Sequence, residues 1–508
     1  MANLLGLDFG TGGIRVGVFD LATRQMKGER EEAFETSYPR PGWAEQSPLA
    51  WWDALGRATR GLMRDLGSPE IAGICVATTA STVVACRSDG TPLRPALLWM
   101  DCRAAAEAEQ SAESENPVMN YVGGSNAAEW LVSKAMWLST NEPEVYAGSE
   151  VICECLDYIN FMLTGRWVGS RMNATCKWNY DSVQKRFPSE LYEEFGIPDL
   201  EAKLPPDIFA VGAPIGEISK EASDHLGLSG RPMLAQGGID AHIGMLGAGT
   251  LMPGELLMIG GTSIVQLFQL DSQRPMTGFW GPYPHALVDD YWLVEAGQVS
   301  AGSVISWFEK NLFQLDAAGR QALREEASEL PVGGTGLLTL DYFMGNRTPY
   351  RDPLLRGGII GLSLGHDRAA LYRSAVESVA LASANVLKRM HELGVPVDHI
   401  VTAGGYAKNP LWLQATVDAI GIPVHLPSEA NLTIIGAAAS AAAGAGLVPD
   451  LFAAADAVKQ KTVEIQPDAK AHTAYNALLE DYLEATDLLT PLSRRLAGQQ
   501  LKGRNDAT

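Results

Sequence analysis

An acidic residue standing directly before a run of glycines can do chemistry on phosphate. In Leu7-Asp8-Phe9-Gly10-Thr11-Gly12-Gly13 the carboxylate of Asp8 falls at the end of an apolar run. Glycines have no side chain, so an anion can come close to their N–H groups, and Thr11 adds a hydroxyl donor. A carboxylate beside such a loop suits Mg²⁺, which prefers oxygen ligands and keeps several waters. A second acid, Asp240, follows Gly237-Gly238-Ile239, where an apolar strand gives way to a helix. That placement opens the carboxylate into a crevice at a strand's carboxyl end. A third pattern, Thr402-Ala403-Gly404-Gly405-Tyr406, can let a flat ring lie against bare backbone. Taken singly, each has a plainer reading: a turn aspartate, a helix cap at Asp240, and a strand–helix turn needing glycine. Their occurrence in one chain is what points to catalysis. His242 reads as a packed or surface histidine and is given no role.

Two familiar nucleotide loops are excluded. No Lys follows a Gly anywhere in the chain, so there is no Walker-type loop. The glycine run places Arg15 where a dinucleotide fingerprint needs its third glycine. The six cysteines (75, 86, 102, 153, 155 and 176) contain no C-x-x-C pair, and Cys153-x-Cys155 lacks partners for zinc. They read as reduced thiols of a cytoplasmic protein.

The elements that must hold these residues are legible from periodicity. Leu4–Asp8, the turn Gly10–Gly13 and Ile14–Phe19 read as a hairpin. The same design returns at Leu256–Ile259, Gly260-Gly261-Thr262-Ser263 and Ile264–Leu270, which implies two halves built on related hairpins. Segments 71–76 and 82–86 look extended. Apolar residues at Leu371, Ala375, Val379, Ala382, Val386 and Met390 predict a helix over 371–393, ended by Gly394. Strand 399–402 leads into Gly404-Gly405, and Asn409-Pro410 opens a helix through Ala419. A last amphipathic helix carries Tyr475 to Leu489, and the chain turns polar after Arg495. The class is α/β with mixed sheets. The expected division is 1–248, 249–495 and a flexible tail 496–508, with the boundary in the loop Gly247–Pro253.

A chain of 508 residues is long enough for two domains, and 46% hydrophobic with 19% charged residues fits a folded protein. The formal net charge of −21 makes nucleic acid and anionic membrane poor partners. It does not forbid one small anion in a pocket of backbone N–H groups. The start MANLLGLDFG has no secretory signal pattern, and the Ala/Gly-rich stretch Thr433–Val448 is shorter than the roughly 20 apolar residues of a bilayer span. A homodimer is left open.

LGLDFGTGGIRVGVFD, QGGIDAHIGMLGAG, MIGGTSIVQL and TAGGYAKNPLWLQATVDAIGIPV, in that order and spacing, resemble the FGGY carbohydrate kinases. The resemblance extends through RPGWAEQSPLAWWDAL, LRPALLWMDCRA and GNRTPYRDPLLRGGIIGL, over nearly the whole chain. It implies two ribonuclease-H-like domains of the actin and sugar-kinase type, with ATP in the cleft between them. It implies that Asp8 organises Mg²⁺ and the ATP phosphates, and that Asp240 is the general base. Thr11, Gly12, Gly13 and Arg15 then match the first phosphate hairpin, and Gly261 and Thr262 the second. Gly302 matches a further nucleotide contact, and Gly405 and Asn409 the nucleoside motif.

Within that resemblance, the Gln-Arg-Glu run of the glycerol kinases is absent. Thr78-Thr79-Ala80 stands in its place. The Gln-Met-His-Gly stretch of the xylulokinases is absent as well. The expectation is a pentulose, xylulose slightly ahead of ribulose, contacted by Thr78, Thr79, Asp101 and Asp240. The competing expectation from another class is a non-catalytic nucleotide-binding protein on the same actin-like fold.

Overall fold

The computed structural model describes residues 2–429 and 431–505. Strand Asn3–Phe9 pairs antiparallel with Gly13–Asp20, which places Asp8 directly opposite Arg15. Gly13–Asp20 continues antiparallel into Gln25–Ala33. On its other side Asn3–Phe9 runs parallel to Ile71–Thr78, which runs parallel to Met233–Ile239. Pro214–Glu217 closes that edge in the antiparallel sense.

The second large sheet repeats this order. Glu255–Gly260 and Ile264–Leu270 form the hairpin, and Trp292–Gln298 extends it antiparallel. His399–Gly404 lies parallel to Glu255–Gly260 and to Val424–Pro427, and Thr462–Ile465 closes the edge antiparallel. Apart from an added edge strand, Trp280–Pro284, the two sheets correspond strand for strand. The repeat expected from two glycine hairpins therefore extends to whole sheets. In each sheet the parallel strands end at the same edge, where a crevice forms.

The halves are joined at their cores by two helices. Leu432–Gly444 follows a strand of the second sheet but packs on the first. A Cβ on Gly6 would stand 2.7 Å from the Ile434 carbonyl, and one on Gly73 2.7 Å from that of Ala441. Helix Asp240–Ala248 lies against it so closely that a side chain at Gly247 or Gly436 would strike the facing backbone. Close backbone approach explains the Ala/Gly composition of the stretch 433–448. Among the described residues no helix is long and apolar enough to cross a membrane.

Other predicted elements appear with shifted ends: Arg368–Glu392 capped by Asp367, and Pro410–Ile420 capped by Asn409. The last helix, Ala469–Asn505, runs past Arg495, where a flexible tail was expected. It is held there because Ala497 is buried and Arg494 pairs with Asp352 at 2.7 Å. A small four-stranded sheet (Glu45–Gln46, Ala96–Leu97, Val83–Cys86 and Val151–Glu154) is an addition to the first half. All six cysteines are free, and only Cys102 is exposed.

Candidate active site

Asp8 sits in the second-last position of its strand, 1% exposed. Its Oδ2 lies 2.8 Å from the Arg15 guanidinium on the paired strand. Neither carboxylate oxygen has any further partner among the described residues. Burial pushes its pKa up to about 6, against the pull of Arg15 and with the help of Glu29 and Glu31. Such a carboxylate gains from a cation. Among the described residues no cluster of three or more His, Cys, Asp or Glu could form a full protein cage. Single-carboxylate ligation with retained waters is what Mg²⁺ accepts, so Asp8 fits the role of its holder.

The turn after Asp8 is closed by the Gly10 N–H donating to the Gly13 carbonyl at 3.0 Å. Gly12 faces open space, with nothing within 4 Å of where a Cβ would be. Gly13 is needed for a different reason, its Cβ position being 2.7 Å from the Glu32 carbonyl. The second turn is built into a tighter assembly. The Gly302 N–H donates to the Gly261 carbonyl at 3.1 Å, and the Thr262 carbonyl accepts from Ala301 and Ser303. The Thr262 side chain stays exposed. Gly404 takes φ +89° and its missing Cβ would collide with the Gly260 backbone, so the 404–405 turn nests against the same hairpin. Bare backbone from three separate segments thus converges at one edge, as a nucleotide site needs. Asn409 is different. Its Oδ1 accepts from the Trp412 N–H and its Nδ2 donates to the Tyr372 hydroxyl, both inside the protein. Tyr372 donates onward to Glu309, which Arg324 pairs at 2.8 Å. The structure therefore gives the Asn409 side chain the work of capping and orienting the turn.

Asp240 opens its helix at the carboxyl end of strand Met233–Ile239 and lines a cavity of about 290 Å³ between the halves. Burial, and after it the charge of Asp8, raise its pKa to about 7. Two wider hollows, about 590 and 610 Å³, are lined by neither Asp8 nor Asp240.

Beyond Thr11 and Thr79, the other walls of this cavity were not anticipated. Lys177 from the first half stands 3.4 Å from Glu295 of the second, and the His242 ring lies 3.9 Å from the same carboxylate. Although burial opposes it, Lys177, His242 and Arg347 hold Glu295 down at about 2, so it is ionised. Burial, with Lys177 repelling, lowers His242 to about 4 and keeps it neutral. Trp130 and Trp280 meet across the cleft with ring centroids 5.0 Å apart, and Lys177 lies 4.7 Å over Trp130. The Trp99 indole donates to the Thr11 hydroxyl at 2.9 Å. Aromatic faces beside an ionised acid, an ammonium and hydroxyls suit a short polyhydroxylated carbon chain.

Of the four expected sugar contacts, Thr79 and Asp240 line this cavity and Thr78 and Asp101 do not. Thr78 is fully buried in its strand, its hydroxyl bonded to the Thr79 carbonyl at 3.0 Å. Asp101 is also fully buried. It accepts the Ala44 N–H at 2.7 Å and pairs with Arg103 at 2.7 Å, which packs 3.7 Å over Trp43. The motif signal at Asp101 is a structural ion pair.

The N-terminal domain model of the FGGY family of carbohydrate kinases matches residues 3–247, and the C-terminal one residues 256–445. The chain belongs to the FGGY family of carbohydrate kinases. It is 30% identical over 542 residues to a ribulokinase of Mycolicibacterium smegmatis, covering 97% of this chain and 95% of that one. Among solved structures, a xylulose kinase from Rhodospirillum rubrum aligns with TM-score 0.86 and 26% identity over 97% of this chain and 99% of the other. A Plasmodium falciparum glycerol kinase with ADP shares the fold at TM-score 0.84 and 21% identity, over 96% and 98% of the two chains. As an FGGY sugar kinase, the chain carries the mixed α/β, two-domain architecture expected from its motifs. The signal at Lys177 and Glu295 was weak: Lys177 ends a helix that also carries Arg171 and Asn173, and Glu295 follows the apolar Trp292-Leu293-Val294. One such charge is common, and only the fold shows that these two meet.

Proposed function

We propose that the chain transfers the terminal phosphate of ATP to a hydroxyl of a pentulose, with ribulose ahead of xylulose. The observation that carries this reading is Asp240: a carboxylate with its pKa raised to about 7, on the wall of a small polar and aromatic cavity close enough to feel the charge of Asp8. A sugar hydroxyl is far too weak an acid to ionise beforehand. Asp240 accepts its proton as the new O–P bond forms and the bond to the ADP oxygen breaks. The turns at Gly12 and Thr262 would offer N–H groups to phosphate oxygens, the Gly261 N–H itself being taken by the Ser263 carbonyl at 2.7 Å, and Arg15 adds a positive charge on the first of them. Mg²⁺, when bound, supplies further neutralisation of the phosphates, and Asp8 is the residue that would hold it. Thr11 and Thr79 face the sugar side.

The acceptor assignment draws on what the bend before strand Val83–Cys86 lacks and on the relatives. Neither the charged run of glycerol kinases nor the Gln-Met-His-Gly stretch of xylulokinases is present. Relatives named ribulokinase span 97% and 95% of the chain at 30% and 28% identity, which moves ribulose ahead of the xylulose first expected. The test is ADP formation across a panel of ribulose, xylulose and glycerol, with Asp240→Asn as control. Ribulose giving the largest kcat/KM supports the reading. No stimulation by any ketopentose refutes it.

A further inference from the structure

The bend between strands Ile71–Thr78 and Val83–Cys86 turns Thr79, Ala80 and Ser81 toward the cavity. Ser81 takes φ +62°, the left-handed region that a residue with a Cβ rarely adopts. Both polar groups of its backbone are gripped by buried charges. The Ser81 N–H donates to Glu154 Oε2 at 2.6 Å, and the Ser81 carbonyl accepts from Lys134 Nζ at 2.7 Å. Glu154 and Lys134 are each 0% exposed, and neither lines the cavity.

Each charge is anchored from the other side. Lys134 Nζ also donates to the Leu98 carbonyl at 2.6 Å, next to Trp99, whose indole bonds Thr11. Glu154 also accepts from Asn173 at 2.8 Å and from the Trp178 indole at 2.7 Å. Neither group forms an ion pair within 4.0 Å among the described residues, so both spend their charge on neutral donors and acceptors. Burying two such charges is a costly way to gain stability, and its return is a fixed geometry.

We propose that Lys134 and Glu154 are positioning residues that hold the Ser81 peptide in its left-handed form and so set the shape of the sugar-facing wall Thr79–Ser81. This rests on the reading of the cavity as the acceptor site. The bend carries no charged side chain, so what this part of the wall offers an acceptor is the shape of its backbone.

The probe is ribulose, or xylulose if that turns over faster with the wild-type chain. Lys134→Met raises the sugar KM about tenfold or more and leaves the ATP KM within about twofold. Glycine adopts the left-handed form without steric cost, so in a Ser81→Gly background the same Lys134→Met change raises the sugar KM under about threefold. Trp99, Trp130 and Trp280 line the cavity, and sugar quenching of their fluorescence reports the same cycle as binding, without turnover. If Lys134→Met does not fold, Glu154→Gln, which keeps the size of the side chain, is taken through the same cycle. Equal costs in the two backgrounds, or an unchanged sugar KM, overturn the proposal. A wild-type chain that no ketopentose stimulates overturns the functional reading first, and the positioning role falls with it.

Discussion

Lys177 and Glu295 come from opposite halves of the chain and meet at 3.4 Å on the wall of the cavity that holds Asp240. Both are nearly buried, and Glu295 stays ionised because Lys177 is there. Removing one member leaves the other buried without its partner, which is the costly case for a buried pair. Lys177→Met and Glu295→Gln are each expected to lower kcat/KM for the sugar by about tenfold or more, with the ATP KM little changed. Steady-state kinetics with each substrate varied in turn checks this. An unchanged sugar KM in both variants would remove the pair from acceptor recognition.

Asp240→Asn keeps the shape of the side chain and abolishes its basicity. ATP affinity should stay near wild type while kcat falls by about 10²–10⁴-fold. The wild-type rate must also carry an acid limb, because only the deprotonated carboxylate accepts the hydroxyl proton. Since burial and Asp8 raise the Asp240 pKa to about 7, kcat/KM for the sugar should fall as the pH drops through a value well above the ordinary carboxylate range. A pH profile of the wild type against the Asn variant decides the matter. The same limb in both would move the base elsewhere.

Gly12 and Gly13 separate two uses of glycine in one turn. A methyl on Gly12 meets nothing within 4 Å, whereas one on Gly13 would lie 2.7 Å from the Glu32 carbonyl. Gly12→Ala should therefore leave the melting temperature unchanged and weaken ATP binding, because the added methyl keeps phosphate off the backbone. Gly13→Ala should lower the melting temperature through strain between neighbouring strands, a cost on the order of 1–3 kcal/mol. Calorimetric titration of ATP and thermal melts read the two effects apart. Wild-type ATP affinity in Gly12→Ala would place the phosphates elsewhere.

What could be read before the fold was known follows a physical division. Glycines that permit phosphate approach or backbone contact leave a local mark, so both hairpins, Asp8, Asp240 and the 404–405 turn were legible from a few consecutive residues. Lys177, His242 and Glu295 leave no more than an isolated charge or ring, because their meaning lies in a meeting between halves more than 50 residues apart in sequence, 242 to 295. Asp101 shows the opposite error. It belongs to a strongly patterned stretch, but the pattern records a buried pair with Arg103 under Trp43 rather than a ligand contact. The helix through Arg495 misled for a related reason: its polar residues face outward while Ser493 and Ala497 pack inward.

His242 should make the folded state sensitive to acid. Its ring nitrogens have no hydrogen-bond partner among the described residues, and burial with the nearby Lys177 depresses its pKa from 6.5 to about 4. Between those values the unfolded chain binds a proton that the folded chain refuses. Stability therefore rises with pH across that window and is lost as pH falls from 6.5 toward 4. Glu295, held at about 2 against 4.5, adds a loss in the same direction that begins lower, as pH falls below 4.5. His242→Gln carries no titrating ring, so its melting temperature should be flatter than wild type between pH 6.5 and 4.5 and fall in parallel with it below that. Melting curves over this range, wild type against variant, measure the difference. Identical slopes above pH 4.5 would mean that the ring is charged in the folded state, paired with Glu295 across the 3.9 Å that separates them.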